Sequence, residues 1–202
     1  MNQSKFNAKR LSATNIMDYL IEYFGSRPRN IGHHLISNFQ PLLQKDYGLD
    51  SDCTLTSLTS CLCYYLPDMN PLQVYPMVED SANKYFYNGN SYGTPNTMIK
   101  AIYDDVNNKL NRNVKTKWKC IKNVGFNFNT IKDNIDNNIP VILSIQSDGR
   151  DYYKKHSVTV VGYNVYAYGN KCKEMLTIYD NWYKSFSYID YSKISILSSI
   201  NY

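Results

Sequence analysis

His156-Ser157-Val158-Thr159-Val160-Val161-Gly162-Tyr163 is the clearest strand in the 202-residue chain, and Met175-Leu176-Thr177-Ile178-Tyr179 follows as its natural partner. Both are rich in β-branched and aromatic residues, which suit a pleated surface. Between them Ala167-Tyr168-Gly169-Asn170-Lys171 has the composition of a hairpin turn. Outward from this hairpin, Pro140 introduces the strand Val141 to Ile145, Ser185 to Tyr191 is a further strand, and Val114 to Ile121 alternates. Asn129 to Asn138 reads as a short helix within this β-rich stretch.

Before Asn113 the pattern is helical. Ser12 to Phe24 places Ile16, Tyr19, Leu20 and Tyr23 at helical spacing, with Gly25 and Pro28 as its stop. Asn30 to Asp52 is mixed, broken by Pro41 and Gly48. A helix over Asp52 to Tyr65 carries Leu55, Leu58, Leu62 and Leu66 on one face, with Pro67 as the stop. Asn70-Pro71 and Thr94-Pro95 each pair an N-cap residue with proline at the first helical position. They predict helices over Leu72–Tyr85, interrupted by Pro76, and Asn96–Leu110. Helices first and strands afterwards predict an α+β fold, not an alternating parallel sheet.

A length of 202 residues suggests one domain, or one core folded as two packed halves. With 43% hydrophobic and 19% charged residues the composition is that of an ordinary globular protein, which excludes disorder and collagen-like repetition. The sequence shows no apolar run approaching the roughly 18 residues of a spanning helix. The start, Met1 to Arg10, is polar and basic, unlike a secretory signal, so the default expectation is a cytoplasmic protein, with export by another route left open. The net charge of +5 is mild. Lys115, Lys117 and Lys119 share one face of an extended segment and Lys122 follows, but no nucleic-acid fold signature accompanies them, so a solvated strand face is expected and no nucleic-acid partner. The twenty Tyr, with abundant Asn, Ile and Lys, look like an AT-rich coding bias.

Five cysteines, Cys53, Cys61, Cys63, Cys120 and Cys172, make an odd number that argues against a disulfide framework. Cys61 and Cys63 lack the second pair that a zinc site needs, and adjacent His33 and His34 are poorly placed for joint ligation. No metal and no cofactor are expected. Cys53 stands apart. Asp50-Ser51-Asp52 supplies capping residues before it, so it falls in the first helical turn, where backbone amides and the helix dipole stabilise a thiolate. Cys61 and Cys63, later on the same helix, are expected to stay neutral, with at least one packed in the core.

His156 opens its strand after the polar stretch Asp148 to Lys155, at the rim of the sheet. Residues opposite each other across a hairpin have a constant index sum. A turn centred on Tyr168 sets His156 opposite Asp180, and one centred on Gly169 makes Asp180 a diagonal neighbour. Either register keeps both side chains on one face, within about 5 to 8 Å. A one-residue slip would separate them. Trp182, two residues on, is placed to shield a His–Asp hydrogen bond from water.

A cysteine at a helix start, a histidine at a strand start and an aspartate after the next strand form a nucleophile–base–orienter set. The segments Asp52-Cys53-Thr54-Leu55-Thr56-Ser57, His156 to Tyr163 and Ile178-Tyr179-Asp180-Asn181-Trp182 resemble the papain-like cysteine peptidases. They are most similar to the bacterial branch related to bacteriocin-leader-processing peptidases, which Asn138-Ile139-Pro140-Val141-Ile142 also resembles. The similarity runs from about Gln40 to Tyr191; family members commonly have Gly-Pro or Gly-Tyr after the cysteine, where this chain has Thr54-Leu55. The resemblance implies a single papain-like domain over 1–202. A helical half (about 11–112) would carry the nucleophile, packed on an antiparallel β half (about 113–200) carrying His and Asp. It further implies a Cys53–His156–Asp180 triad and a glutamine donor to the oxyanion, Gln44 or otherwise Gln40. The expected activity is that of a peptidase on a peptide or acyl-type substrate. The same triad would also serve an acyltransferase, and the same fold an inactive binding protein.

Overall fold

The hairpin that the sequence singles out is the spine of the sheet. In the computed structural model, which describes residues 9–47, 52–85, 98–110, 119–121 and 127–201, β5 (Lys154–Tyr168) and β6 (Lys171–Tyr179) run antiparallel. The other strands are β1 (Leu11–Ser12), β2 (Arg29–Leu35), β3 (Lys119–Ile121), β4 (Val141–Ser147), β7 (Ser187–Asp190) and β8 (Ser195–Asn201). Their order is β1-β7-β6-β5-β4-β8-β3, and β2 pairs with the far half of β5. Every pairing is antiparallel, so the described residues build an α+β fold.

The division into a helical and a β half is only approximate, because β1 and β2 come from the N-terminal part and join the sheet. The Arg29–Leu35 strand carries no apolar alternation because it is exposed or half-buried at every residue, so backbone pairing holds it and not a buried face. Leu11 and Ser12 pair with Tyr188 and Ser187, so α1 spans Ile16–Phe24 and begins later than the periodicity predicts. β8 adds a further strand beyond the sequence expectation. The α1 stop is as expected: Gly25 adopts φ 76° and its N–H donates to the Ile21 carbonyl at 2.8 Å.

Helix α2 (Cys53–Tyr65) lies against β5 and β4 on one side and α3 (Pro71–Asn83) on another. Leu55, Leu58 and Leu62 are buried, as is Leu66 just beyond the helix, but so are Thr54, Thr56, Ser57, Thr59 and Ser60. A helix enclosed nearly all round must satisfy its hydroxyls internally. Thr59 Oγ1 donates to the Leu55 carbonyl at 2.8 Å and Ser60 Oγ to the Thr56 carbonyl at 2.9 Å. Asn70 caps α3 through Oδ1, which accepts from the Leu72 N–H, and Pro76 is carried inside the helix. α4 (Ile99–Lys109) and α5 (Phe128–Asp136) agree with the two remaining helical stretches. Thr94-Pro95, Lys115, Lys117 and Lys122 lie outside the described residues.

The register of the β5–β6 hairpin decides which side chains meet. Tyr168 pairs with Lys171, which leaves Gly169-Asn170 as a two-residue turn, Gly169 at φ 57°. That is the slipped register, which sends His156 and Asp180 to opposite faces. A bulge between Val160 and Gly162 repairs it: beyond the extra residue Val161, Val160 pairs with Ile178 and Thr159 with Tyr179, as for a turn centred on Gly169. The Val161 carbonyl accepts the Ile36 N–H at 2.8 Å. Gly162 allows β2 to approach there, since a Cβ on it would lie 2.7 Å from the His34 carbonyl oxygen.

Candidate active site

Cys53 is the first residue of α2 and partly buried. The expected cap is not made by Asp52, whose side chain forms no capping hydrogen bond; its buried carboxylate instead accepts the Tyr75 hydroxyl from α3. Asp50 and Ser51 lie outside the described residues. Burial pushes the Cys53 thiol up. A hydrogen bond with His156, the imidazole's charge and the Ser157 amide outweigh it and bring the thiol down to about 7. The Ser157 N–H donates to Sγ at 3.4 Å. Farther along α2, Cys61 is fully buried, and burial pushes the Cys63 thiol up to about 11.

His156 is buried on β5, and its Nε2 lies 2.7 Å from the main-chain carbonyl oxygen of Asp180. A carbonyl only accepts, so Nε2 carries the proton and Nδ1 is left for the thiol. Trp182 stacks on the ring at 4.1 Å and 25°, and Tyr153 lies parallel to it at 5.8 Å. The indole thus covers a His156–Asp180 hydrogen bond, but the acceptor is backbone and not the carboxylate.

The Asp180 carboxylate, fully buried, is occupied in its own turn. Its Oδ1 accepts the N–H groups of Trp182 and Tyr183, both at 3.1 Å. Its Oδ2 accepts Tyr153 Oη at 2.8 Å and Ser187 Oγ at 2.6 Å. An aspartate that closes the turn after it cannot also reach along the strand to the ring. What the carboxylate does is fix the loop that presents its own carbonyl to His156.

Asn181, beside Asp180, is given no role by the sequence pattern. It holds φ 64° and is buried, and its Nδ2 donates toward the Cys53 carbonyl (2.9 Å), Ser57 Oγ (2.9 Å) and the Ser157 carbonyl (3.0 Å). One amide therefore ties the nucleophile helix to the histidine strand. The Asn181 carbonyl in turn accepts the Gln44 N–H at 2.8 Å, which brings the buried Gln44 beside this junction. Gln40 is exposed and lines a cavity with Cys63, Tyr64 and Met69, toward the other end of α2. Thr54 ties α2 to β5 through its hydroxyl, 2.7 Å from Ser157 Oγ. Its only signal in the sequence is its place beside Cys53, as the only signal of Asn181 is its place beside Asp180.

Among the described residues no group of three His, Cys, Asp or Glu side chains could hold a metal ion, and no helix is long and apolar enough to cross a membrane. The model of the Peptidase_C39 like family matches residues 36–196. The chain belongs to the Peptidase_C39 like family. This is the C39, bacteriocin-processing branch of the papain-like cysteine peptidases, as the motifs around Cys53, His156 and Asp180 implied. The C39-like match takes in α2, β5 and the loop after β6, and leaves β1, α1 and β2 outside. No curated protein matches the chain.

Proposed function

We propose that this C39-like protein is a thiol-dependent hydrolase, a peptidase, working through Cys53, His156 and Asp180. The observation that carries this is a helix-start thiol whose Sγ accepts the Ser157 N–H, next to an imidazole whose Nε2 is held by the Asp180 carbonyl; the same surroundings bring the thiol down to about 7. For attack, the Sγ proton passes to His156 and leaves the thiolate. The thiolate adds to the substrate carbonyl, and the imidazolium gives its proton to the leaving amine as the C–N bond breaks. Water then attacks the thioester, loses a proton to His156, and releases the acid and the free thiol. Asp180 serves by holding the ring's tautomer and direction, through backbone oxygen and not through charge contact.

Gln44, with the Cys53 amide, is the proposed donor pair to the oxyanion; its tie to Asn181 supports this role. One such donor is worth about 3 to 4 kcal/mol in the transition state. The test is turnover of a peptide library by Cys53→Ala and Cys61→Ala. We expect none from the first and nearly full activity from the second, since Cys61 is enclosed in the core. Equal activity in the two variants would defeat the assignment. Mass spectrometry of the products with and without an added amine separates hydrolysis from acyl transfer.

A further inference from the structure

Arg10 lies outside the family-matched segment and some 170 residues from the loop it grips. Its Nε donates to Ser187 Oγ at 2.6 Å; its Nη2 reaches the Ser185 carbonyl (2.6 Å), Ser185 Oγ (2.9 Å) and the Phe186 carbonyl (3.0 Å). The guanidinium sits 4.1 Å above the Tyr183 ring, and Nε is 3.5 Å from Asp180 Oδ2. Ser187 relays the contact, accepting from Arg10 and donating to Asp180 Oδ2. Arg10 is itself held in place: β1 pairs with β7 next to it, Asn15 Nδ2 donates to its carbonyl at 2.9 Å, and Arg150 Nη1 donates to the Lys9 carbonyl at 2.8 Å.

A fully buried carboxylate needs hydrogen-bonding and charged partners around it. Around Asp180 stand Tyr152 and Tyr153 from the loop before β5, His156 on β5, Tyr183 in its own loop, Ser187 on β7 and Arg10 from the N-terminal segment. Among the described residues its ion pair is with Arg10. Asp180 accepts the Trp182 and Tyr183 amides and so shapes the turn that aims its carbonyl at His156 and lays Trp182 over the ring.

We propose that Arg10 is a positioning residue of the active site: by pairing with Asp180 and gripping Ser185 to Ser187, it holds the loop that orients His156. The proposal rests on Cys53 and His156 acting as the reactive pair. It makes the N-terminal segment a working part of a site whose family-matched portion begins only at residue 36.

The experiment is the pH dependence of Cys53 alkylation by iodoacetamide, mapped by peptide mass spectrometry, in the full chain and in Arg10→Gln, Arg10→Lys and Ser187→Ala. In Arg10→Gln the inflection is expected to rise by about one unit. That cuts the thiolate present at pH 7, and hence the rate, about fivefold. Arg10→Lys, which keeps the charge, should recover at least half of this. Ser187→Ala, which deletes only the bridging hydroxyl, should shift the inflection the same way by less. Wild-type inflections in both Arg10→Gln and Ser187→Ala, even with a lowered melting temperature, would overturn the proposal and leave the Cys53–His156 pair standing. An ordinary thiol in the unmodified protein, inflecting near 8.5, would instead remove the pair itself and the proposal with it.

Discussion

Asn181→Ala removes one buried side chain at the joint between the nucleophile helix and the histidine strand. The Nδ2 group has two hydrogens and three acceptors between 2.9 and 3.0 Å, so the loss is two hydrogen bonds, about 1 kcal/mol each net. The acceptors stay behind in the interior, where short-changed polar groups cost about another 1 kcal/mol. Alanine must also adopt φ 64°, a left-handed conformation that costs it about 1 kcal/mol. The expected destabilisation is therefore about 3 to 4 kcal/mol, or about 10 °C in Tm for a chain of this length. Urea unfolding of the wild type, Asn181→Ala, Asn181→Gly and Asn181→Asp separates the contributions. Glycine should regain about 1 kcal/mol by accepting the backbone conformation. Aspartate keeps the shape but sets a carboxylate against two carbonyls, and should fare no better than alanine. The reasoning fails if Asn181→Ala lies within about 0.5 kcal/mol of the wild type, or if aspartate matches asparagine.

Trp182→Ala uncovers the His156–Asp180 hydrogen bond to water, and peptide turnover is expected to fall about tenfold with the fold retained by circular dichroism. Gly162→Ala drives a Cβ to 2.7 Å from the His34 carbonyl oxygen, so β2 must shift, at a cost of about 1 to 3 kcal/mol read by thermal unfolding. The Cys53 thiol, lowered from 9.0 to about 7 by folding, adds stability when ionised. That contribution is complete above pH 9 and disappears as pH falls to 7, with a ceiling of about 3 kcal/mol. Cys53→Ala should flatten the stability profile over that window, and an unchanged profile would contradict the lowered thiol.

Much of this architecture was legible because local chemistry agreed with the final packing. Asn70-Pro71 starts α3, Gly25 ends α1, and the β-branched runs at Val141, Ser157 and Met175 became β4, β5 and β6. The illegible parts share a cause: they depend on partners far along the chain. β2 has no buried face to write a pattern into its sequence. The β5–β6 register is set by a bulge at Val161 that answers the approach of β2, so counting from the turn alone gives the wrong centre and, by compensation, the right face. In the candidate site, Cys53 and His156 are legible as candidates because each bears a signature of its own position, a helix start and a strand start. That the Asp180 backbone, not its carboxylate, meets the ring follows from four donors that converge on that carboxylate from three parts of the chain.

The account stands on His156 lowering the Cys53 thiol through their hydrogen bond. Alkylation of Cys53 followed from pH 5 to 10, with exposed Cys172 labelled in the same sample as a reagent control, tests this directly. The predicted curve inflects at about 7 and moves up beyond 8 in His156→Ala, with the rate at neutral pH falling accordingly. A wild-type curve that inflects near 8.5, and that His156→Ala leaves in place, would contradict it.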